Sequence, residues 1–134
     1  MGVRGGVLSE YVFPFEKLEV WQDSVALALE VLTLIDRVPR GSHLRLISQI
    51  EGAVASISQN IAEGKGRQHR KEFLRYLSIA QGSLYETVTL IELFRRRNIL
   101  TAEESVAVRV QAELLDRKLN GLMKFVRGKS RYEG

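Results

Sequence analysis

Apolar residues recur at steps of three and four along four separate stretches of this chain, and that period confines it to helices. In the first stretch Leu18, Trp21, Val25, Ala28, Leu32 and Ile35 share one helical face, and Pro39 and Gly41 end it. The second carries Leu46, Ile50, Ala53, Ile57 and Ile61. It stops at Gly64-Lys65-Gly66, where glycine can take the left-handed conformation of a helix end, so the spacing predicts a helix from Ser42 to Glu63. The third aligns Phe73, Leu77, Ala80, Leu84, Val88, Ile91 and Phe94 from His69 to Arg97, with Asn98 as its stop. Thr101-Ala102-Glu103-Glu104 is a capping box, in which hydroxyl and carboxylate each satisfy an orphan backbone N–H, and it opens a fourth helix through Val108, Leu115, Leu119, Leu122 and Val126. Short connections make neighbouring helices antiparallel, so the expectation is an all-α, up-and-down four-helix bundle over 14–127. Residues 1–13 read as an N-terminal arm and 128–134 as a basic C-terminal tail.

The helices break their own pattern at one place. Gly52, Ser56, Asn60 and Glu63 follow one another at steps of four, four and three, and Ser78 and Gly82 are also four apart, with Ser83 beside them. An interior glycine costs about 1 kcal/mol relative to alanine, so close approach of the two helices is the expected compensation. Gly52, Ser56, Asn60, Glu63, Gly82 and Ser83 then form a structural polar stripe, with Asn60 and Glu63 bonded across it to groups such as Ser83. The first helix is apolar well beyond its main stripe, at Val20, Leu27, Leu29, Val31 and Leu34, which predicts burial on more than one side and hence self-association.

Charge narrows the function. The 134 residues carry a net +4, unevenly: Glu10 to Asp36 holds six acids and one base, Arg117 to Arg131 six bases and no acid. The densest basic group is Lys65, Arg67, Arg70, Lys71 and Arg75, around the turn between the second and third helices. Positive charge at a helix start opposes the macrodipole, so this cluster points to phosphates of RNA or DNA. Arg67, Lys71 and Arg75, four apart, are expected on one face. Arg95-Arg96-Arg97 sits in a last turn, where the dipole favours cations without any ligand. Trp21 and Phe73 read as core, leaving Tyr76 as the aromatic near the cluster.

Catalytic inventories are missing. The chain has no cysteine. Neither His43 nor His69 follows a glutamate by three residues, as a di-iron bundle requires. No glycine-rich loop ending in Gly-Lys-Ser/Thr occurs. The chain therefore reads as a nonenzyme with no cofactor and no metal. It has neither an apolar run long enough to span a bilayer nor a signal peptide, so the expected compartment is the cytoplasm.

Phe15 to Gln22 (FEKLEVWQ), Gln49-Ile50, Ala55 to Gly64 (ASISQNIAEG), Arg67, Phe73, Leu77 and Ile79 to Glu86 (IAQGSLYE) resemble the four-helix-bundle family encoded in 23S rRNA intervening sequences. The resemblance covers residues 13–127. It implies an up-and-down bundle that assembles as a homopentamer and has no established enzymatic activity. The chain is also similar to the accessory variability determinant of diversity-generating retroelements, which implies nucleic acid and a reverse transcriptase as partners. Where the family has a basic pair after Gln49-Ile50, this chain has Glu51-Gly52. The alternative reading is a protein-interaction scaffold that docks a protein partner without nucleic acid.

Overall fold

The structure, a computed structural model, describes residues 10–133, with side chains described to residue 128. A 3-10 turn, Pro14–Lys17, precedes α1 (Glu19–Ile35), α2 (Arg40–Lys65), α3 (Arg70–Arg96) and α4 (Ala102–Glu133). There is no strand among the described residues. The first nine residues of the expected arm lie outside them. α4 continues past Gly128, beyond the expected end of the bundle.

Cross-helix contacts fix the topology. Ser56 Oγ lies 2.8 Å from Ser83 Oγ, while Gly64 packs on Tyr76, so α2 and α3 run in opposite directions. Gln81 Nε2 donates to Asp116 Oδ1 and Asn120 Oδ1, both at 2.9 Å, and Ser78 faces Met123, which makes α3 and α4 antiparallel. Lys118 Nζ donates to Asp23 Oδ2 at 2.7 Å, and Arg37 pairs with Glu104, which does the same for α1 and α4. The start of α1, the end of α2, the start of α3 and the end of α4 therefore share one end of the bundle.

The core is built from α2 and α3 largely as the spacing predicts: Ile50, Ala53, Ile57, Ile61, Leu77, Ala80, Leu84, Ile91 and Phe94 are buried, with Leu46, Phe73 and Val88 half-buried at its margin. α1 departs. Its buried line is Val20, Ser24, Leu27, Val31 and Ile35, and of the expected stripe only Ile35 is fully covered. Because α1 is apolar all round, spacing alone does not choose its inner face. Ser24 enters the core because its hydroxyl donates back to the Trp21 carbonyl at 2.7 Å, which leaves no unmet donor.

The helix ends also resolve differently. Pro39 is the N-cap of α2, not only the stop of α1, and His43 (φ −135°, ψ 26°) kinks its first turn. Gly64 lies inside α2, and no glycine among the described residues has positive φ. Its role is space: a Cβ there would stand 2.5 Å from Tyr76 Cβ. Gly52 and Gly82, expected at the close approach, have nothing within 4 Å of such an atom. Asn98 does take the left-handed conformation, φ 62°. Its N–H donates to Arg95 O at 2.9 Å and that of Ile99 to Phe94 O at 2.8 Å, the paired bonds of a Schellman cap. The Thr101 box forms as expected, with Glu104 N–H to Thr101 Oγ1 at 3.0 Å and Thr101 N–H to Glu104 Oε1 at 2.9 Å.

Candidate nucleic-acid interface

The turn joining α2 to α3 is only four residues, 66–69, and is closed by bonds from Gly66 N–H to Ala62 O (3.3 Å) and Arg67 N–H to Gly64 O (3.0 Å). Such a tight turn leaves its side chains pointing outward. Lys65, Arg67, Lys71 and Arg75 are exposed and Arg70 is half-buried.

These bases do not form the single helical row that spacing suggests. Arg67 precedes α3, so its link to Arg75 runs through a ring: their guanidinium carbons sit 4.9 and 5.8 Å from the Tyr76 centroid. Arg67 Nη2 also donates to Tyr76 Oη at 2.7 Å and to Glu63 Oε2 at 2.9 Å. Tyr76 and then Glu63 hold the Arg67 guanidinium in its charged form more firmly than usual. Tyr76 is thus a half-buried ring covered by two arginines, not a bare stacking platform. Lys65 Nζ stands 5.9 Å from the Phe73 ring.

The polar stripe is rearranged too. Ser83 meets Ser56, and Asn60 turns back along its own helix, donating to Ser56 O (2.8 Å) and Ser56 Oγ (2.9 Å). Glu63 faces Arg67. Asn60 and Glu63 therefore do not reach Ser83, because they lie one and two turns beyond the level at which α2 and α3 place their serines side by side.

α4 brings further cations to this end. Arg117 pairs with Glu113 at 2.6 Å, and Asp23 then Glu19 engage Lys118, raising its pKa through the Asp23 bond first. Lys124 and Arg127, beyond them, are exposed and make no ion pair among the described residues. Lys129 and Arg131 have side chains outside the described set. At the opposite end most bases are matched: Arg40 to Glu51 (2.6 Å), Arg95 and Arg96 to Glu92 (2.7 and 2.8 Å), and Arg37 to Glu104, while Arg45 and Arg97 are exposed without an ion pair among the described residues. The Arg95 bond, then that of Arg96, holds the Glu92 carboxyl at about 2.

Sequence reasoning missed an aromatic set at the basic end. Tyr11 and Phe13 are exposed ahead of α1, and Phe125 is exposed between Lys124 and Arg127. The signal available was aromatic residues at every second position, 11, 13 and 15, on either side of Pro14. No group of three or more His, Asp or Glu among the described residues is placed to hold a metal, and no described helix is long and apolar enough to cross a membrane.

No curated protein matches the chain. A crystal structure of a protein of unknown function from the S23 ribosomal protein family of Bacteroides thetaiotaomicron superposes with a TM-score of 0.71 at 24% identity, covering 78% of this chain and 98% of that one, a likeness of fold. Neither match concerns the retroelement protein. The sequence model of the 23S rRNA-intervening sequence proteins matches residues 16–121, across all four helices, and the chain belongs to that family.

Proposed function

We propose that this chain is a noncatalytic, homo-oligomeric protein of the cytoplasm that binds RNA or DNA through the end of the bundle carrying Lys65, Arg67, Arg70, Lys71 and Arg75. The observation that carries the reading is the difference between the two ends. Both are rich in arginine and lysine, yet at the far end carboxylates engage Arg37, Arg40, Arg95 and Arg96 and leave only Arg45 and Arg97, while at this end Arg67 alone of its turn has a described acidic partner and Lys65, Lys71, Arg75, Lys124 and Arg127 have none among the described residues. Cations that converge without carboxylates repel one another unless a polyanion meets them.

The test is fluorescence-anisotropy titration of structured RNA and duplex DNA at several salt concentrations, with wild type and a variant carrying alanine at positions 65, 67, 70, 71 and 75. Each phosphate that the variant no longer neutralises lowers the slope of log affinity against log salt by roughly 0.9 for duplex DNA. Loss of both affinity and slope in the variant supports the reading. Absence of binding by wild type at low salt ends it.

The scaffold reading has its own observation. Val106, Val110 and Tyr85 are 57, 53 and 51% exposed along a groove of about 600 Å³ between α3 and α4, and Leu29 on α1 is 62% exposed. These apolar faces suit a second copy or a protein partner such as a reverse transcriptase. Sedimentation in high salt with each candidate partner present separates the readings, because docking through apolar faces survives screening whereas nucleic-acid binding weakens steeply. The same measurement tests the pentamer.

A further inference from the structure

We infer that α4 pairs with α4 of a second copy, antiparallel, across a two-fold axis at Val110. This rests on the self-association proposed above and assigns it a face, a register and a symmetry.

α4 is apolar on two sides. Val108, Ala112, Leu115 and Leu119 are buried against the bundle, yet Val106, Val110 and Leu114 are 57, 53 and 55% exposed on the opposite side. Steps of four on a helix of 3.6 residues per turn drift by only about 40°, so these three form one outward row. Glu103 and Arg117, both exposed, extend the row at its two ends. Its apolar surface continues onto both neighbouring helices. Tyr85 of α3 lines the same groove as Val106 and Val110, and Ala26 of α1 shares a smaller cleft with Leu114. A helix apolar on every side is characteristic of one covered on every side.

The order of the row names what covers it. Glu103, Val106, Val110, Leu114 and Arg117 are spaced by three, four, four and three, which reads the same from either end. In an antiparallel pair centred on Val110, residues equally far before and after it come level. Val110 then meets Val110, Val106 meets Leu114 and Glu103 meets Arg117, the last two twice over. Apolar side chains fall on apolar ones and each acid on a base. On the flank, Arg109 comes within about 3 Å, along the axis, of the level of Glu113 in the second copy. Glu103 and Arg109 have no ion pair among the described residues. Arg117 is engaged by Glu113 of its own helix at 2.6 Å, but both side chains are largely exposed, so exchanging that partner costs little.

Charge also fixes the direction. A parallel pair would set Glu103 against Glu103 and Arg117 against Arg117, and would lay the two basic ends side by side. The antiparallel pair separates them. Lys124 is fourteen residues beyond Val110, so at 1.5 Å per residue the two copies of Lys124 stand about 42 Å apart along the axis. Both basic ends then stay open to a polyanion. The row and its flank carry Glu103 and Glu113 against Arg109 and Arg117, a balance that attracts neither a polyanion nor an anionic bilayer to this face. A two-fold contact joins copies in pairs and leaves the remaining faces free to close a ring.

The experiment uses the full chain, which has no cysteine of its own. Val110→Cys should form a disulfide-linked dimer under mild oxidation, seen on a non-reducing gel. Val106→Cys should not, because the two-fold sets it about 12 Å along the axis from its own copy. Sedimentation equilibrium at low salt then compares wild type with Glu103→Arg, Arg117→Glu and the double exchange Glu103→Arg/Arg117→Glu. Each single change turns two attractive pairs repulsive and should weaken association about tenfold, whereas the double exchange restores opposite charges and should return it to within about twofold of wild type. Circular dichroism confirms that every variant remains helical, as expected at exposed positions. If wild type associates but Val110→Cys fails to cross-link, or Val106→Cys cross-links as readily, the α4 pairing is overturned and self-association stands through another face. A double exchange no better than the single changes overturns the register in the same way. If wild type sediments as a monomer, the pairing and the self-association fall together.

Discussion

Replacing Gly64 with alanine should destabilise the bundle, although helix propensity alone predicts the reverse. The new Cβ would sit 2.5 Å from Tyr76 Cβ, 3.2 Å from Phe73 Cδ1 and 3.4 Å from Tyr76 Cγ. Carbon atoms rest about 3.5–4.0 Å apart, so the closest pair must separate by at least about 1 Å. Neither Cβ can rotate away, because each is fixed to its own backbone. The Tyr76 ring is further restrained by Arg67 and Arg75. α2 and α3 must therefore part, which also strains the Ser56–Ser83 hydrogen bond. Overpacking of this kind costs about 1–3 kcal/mol, and a backbone-to-backbone clash belongs near the upper value. The propensity gain returns about 1 kcal/mol. A net loss of about 2 kcal/mol lowers the melting temperature by roughly 8 °C for a domain of this size. Gly52→Ala and Gly82→Ala meet nothing within 4 Å, so each should gain up to about 1 kcal/mol. Thermal and urea unfolding followed by far-ultraviolet circular dichroism reads all three. Equal or greater stability of Gly64→Ala would refute the close approach, while a loss at Gly52→Ala would reveal a neighbour pressed against that face, as self-assembly requires.

Three further outcomes follow from the helix ends. Asn98→Ala should cost about 1 kcal/mol in urea unfolding, since alanine resists φ near 62°, whereas Asn98→Gly should be neutral or stabilising. Thr101→Ala should lose about 1 kcal/mol by stripping the Glu104 N–H of its acceptor, again read by urea midpoint. Glu92 has a carboxyl lowered from the ordinary 4.5 to about 2 by Arg95 and Arg96, so its contribution is complete above about 4.5 and fades as pH falls through about 2. The stability difference between wild type and Glu92→Gln should shrink over that window, and a difference constant with pH would contradict the assignment.

What the sequence discloses depends on whether a residue has one plausible neighbour or several. The α3 stripe is legible because its apolar residues occupy one face only, and the Thr101 box because its partners lie three residues apart. α1 hides its inner face because Val20, Leu27 and Val31 are as apolar as Trp21, Val25 and Leu32. The glycines mislead for a related reason: composition marks Gly52, Gly64 and Gly82 alike, but only the α2–α3 register shows which one meets a Cβ. The basic turn is legible as a group of bases close in sequence. The way Arg67 and Arg75 enclose Tyr76 is not legible, because it joins a loop to a helix across a ring.

The candidate site itself illustrates why charge counting falls short. Arg95-Arg96-Arg97 is the longest run of bases in the sequence, yet Glu92, one turn back, engages its first two members. Lys65 has no such acid, and Glu72, next to Lys71 and three residues before Arg75, makes no ion pair with either among the described residues. Adjacent residues on a helix point about 100° apart, so a neighbour in sequence does not neutralise a charge while one at the fourth position does. At the proposed interface the charge left for a phosphate therefore depends on which carboxylates reach the bases as well as on the bases themselves. Moving an acid to within reach, as Lys71→Glu does beside Arg75, should reduce nucleic-acid affinity more than Lys71→Ala, because it takes away one phosphate-binding cation and occupies another.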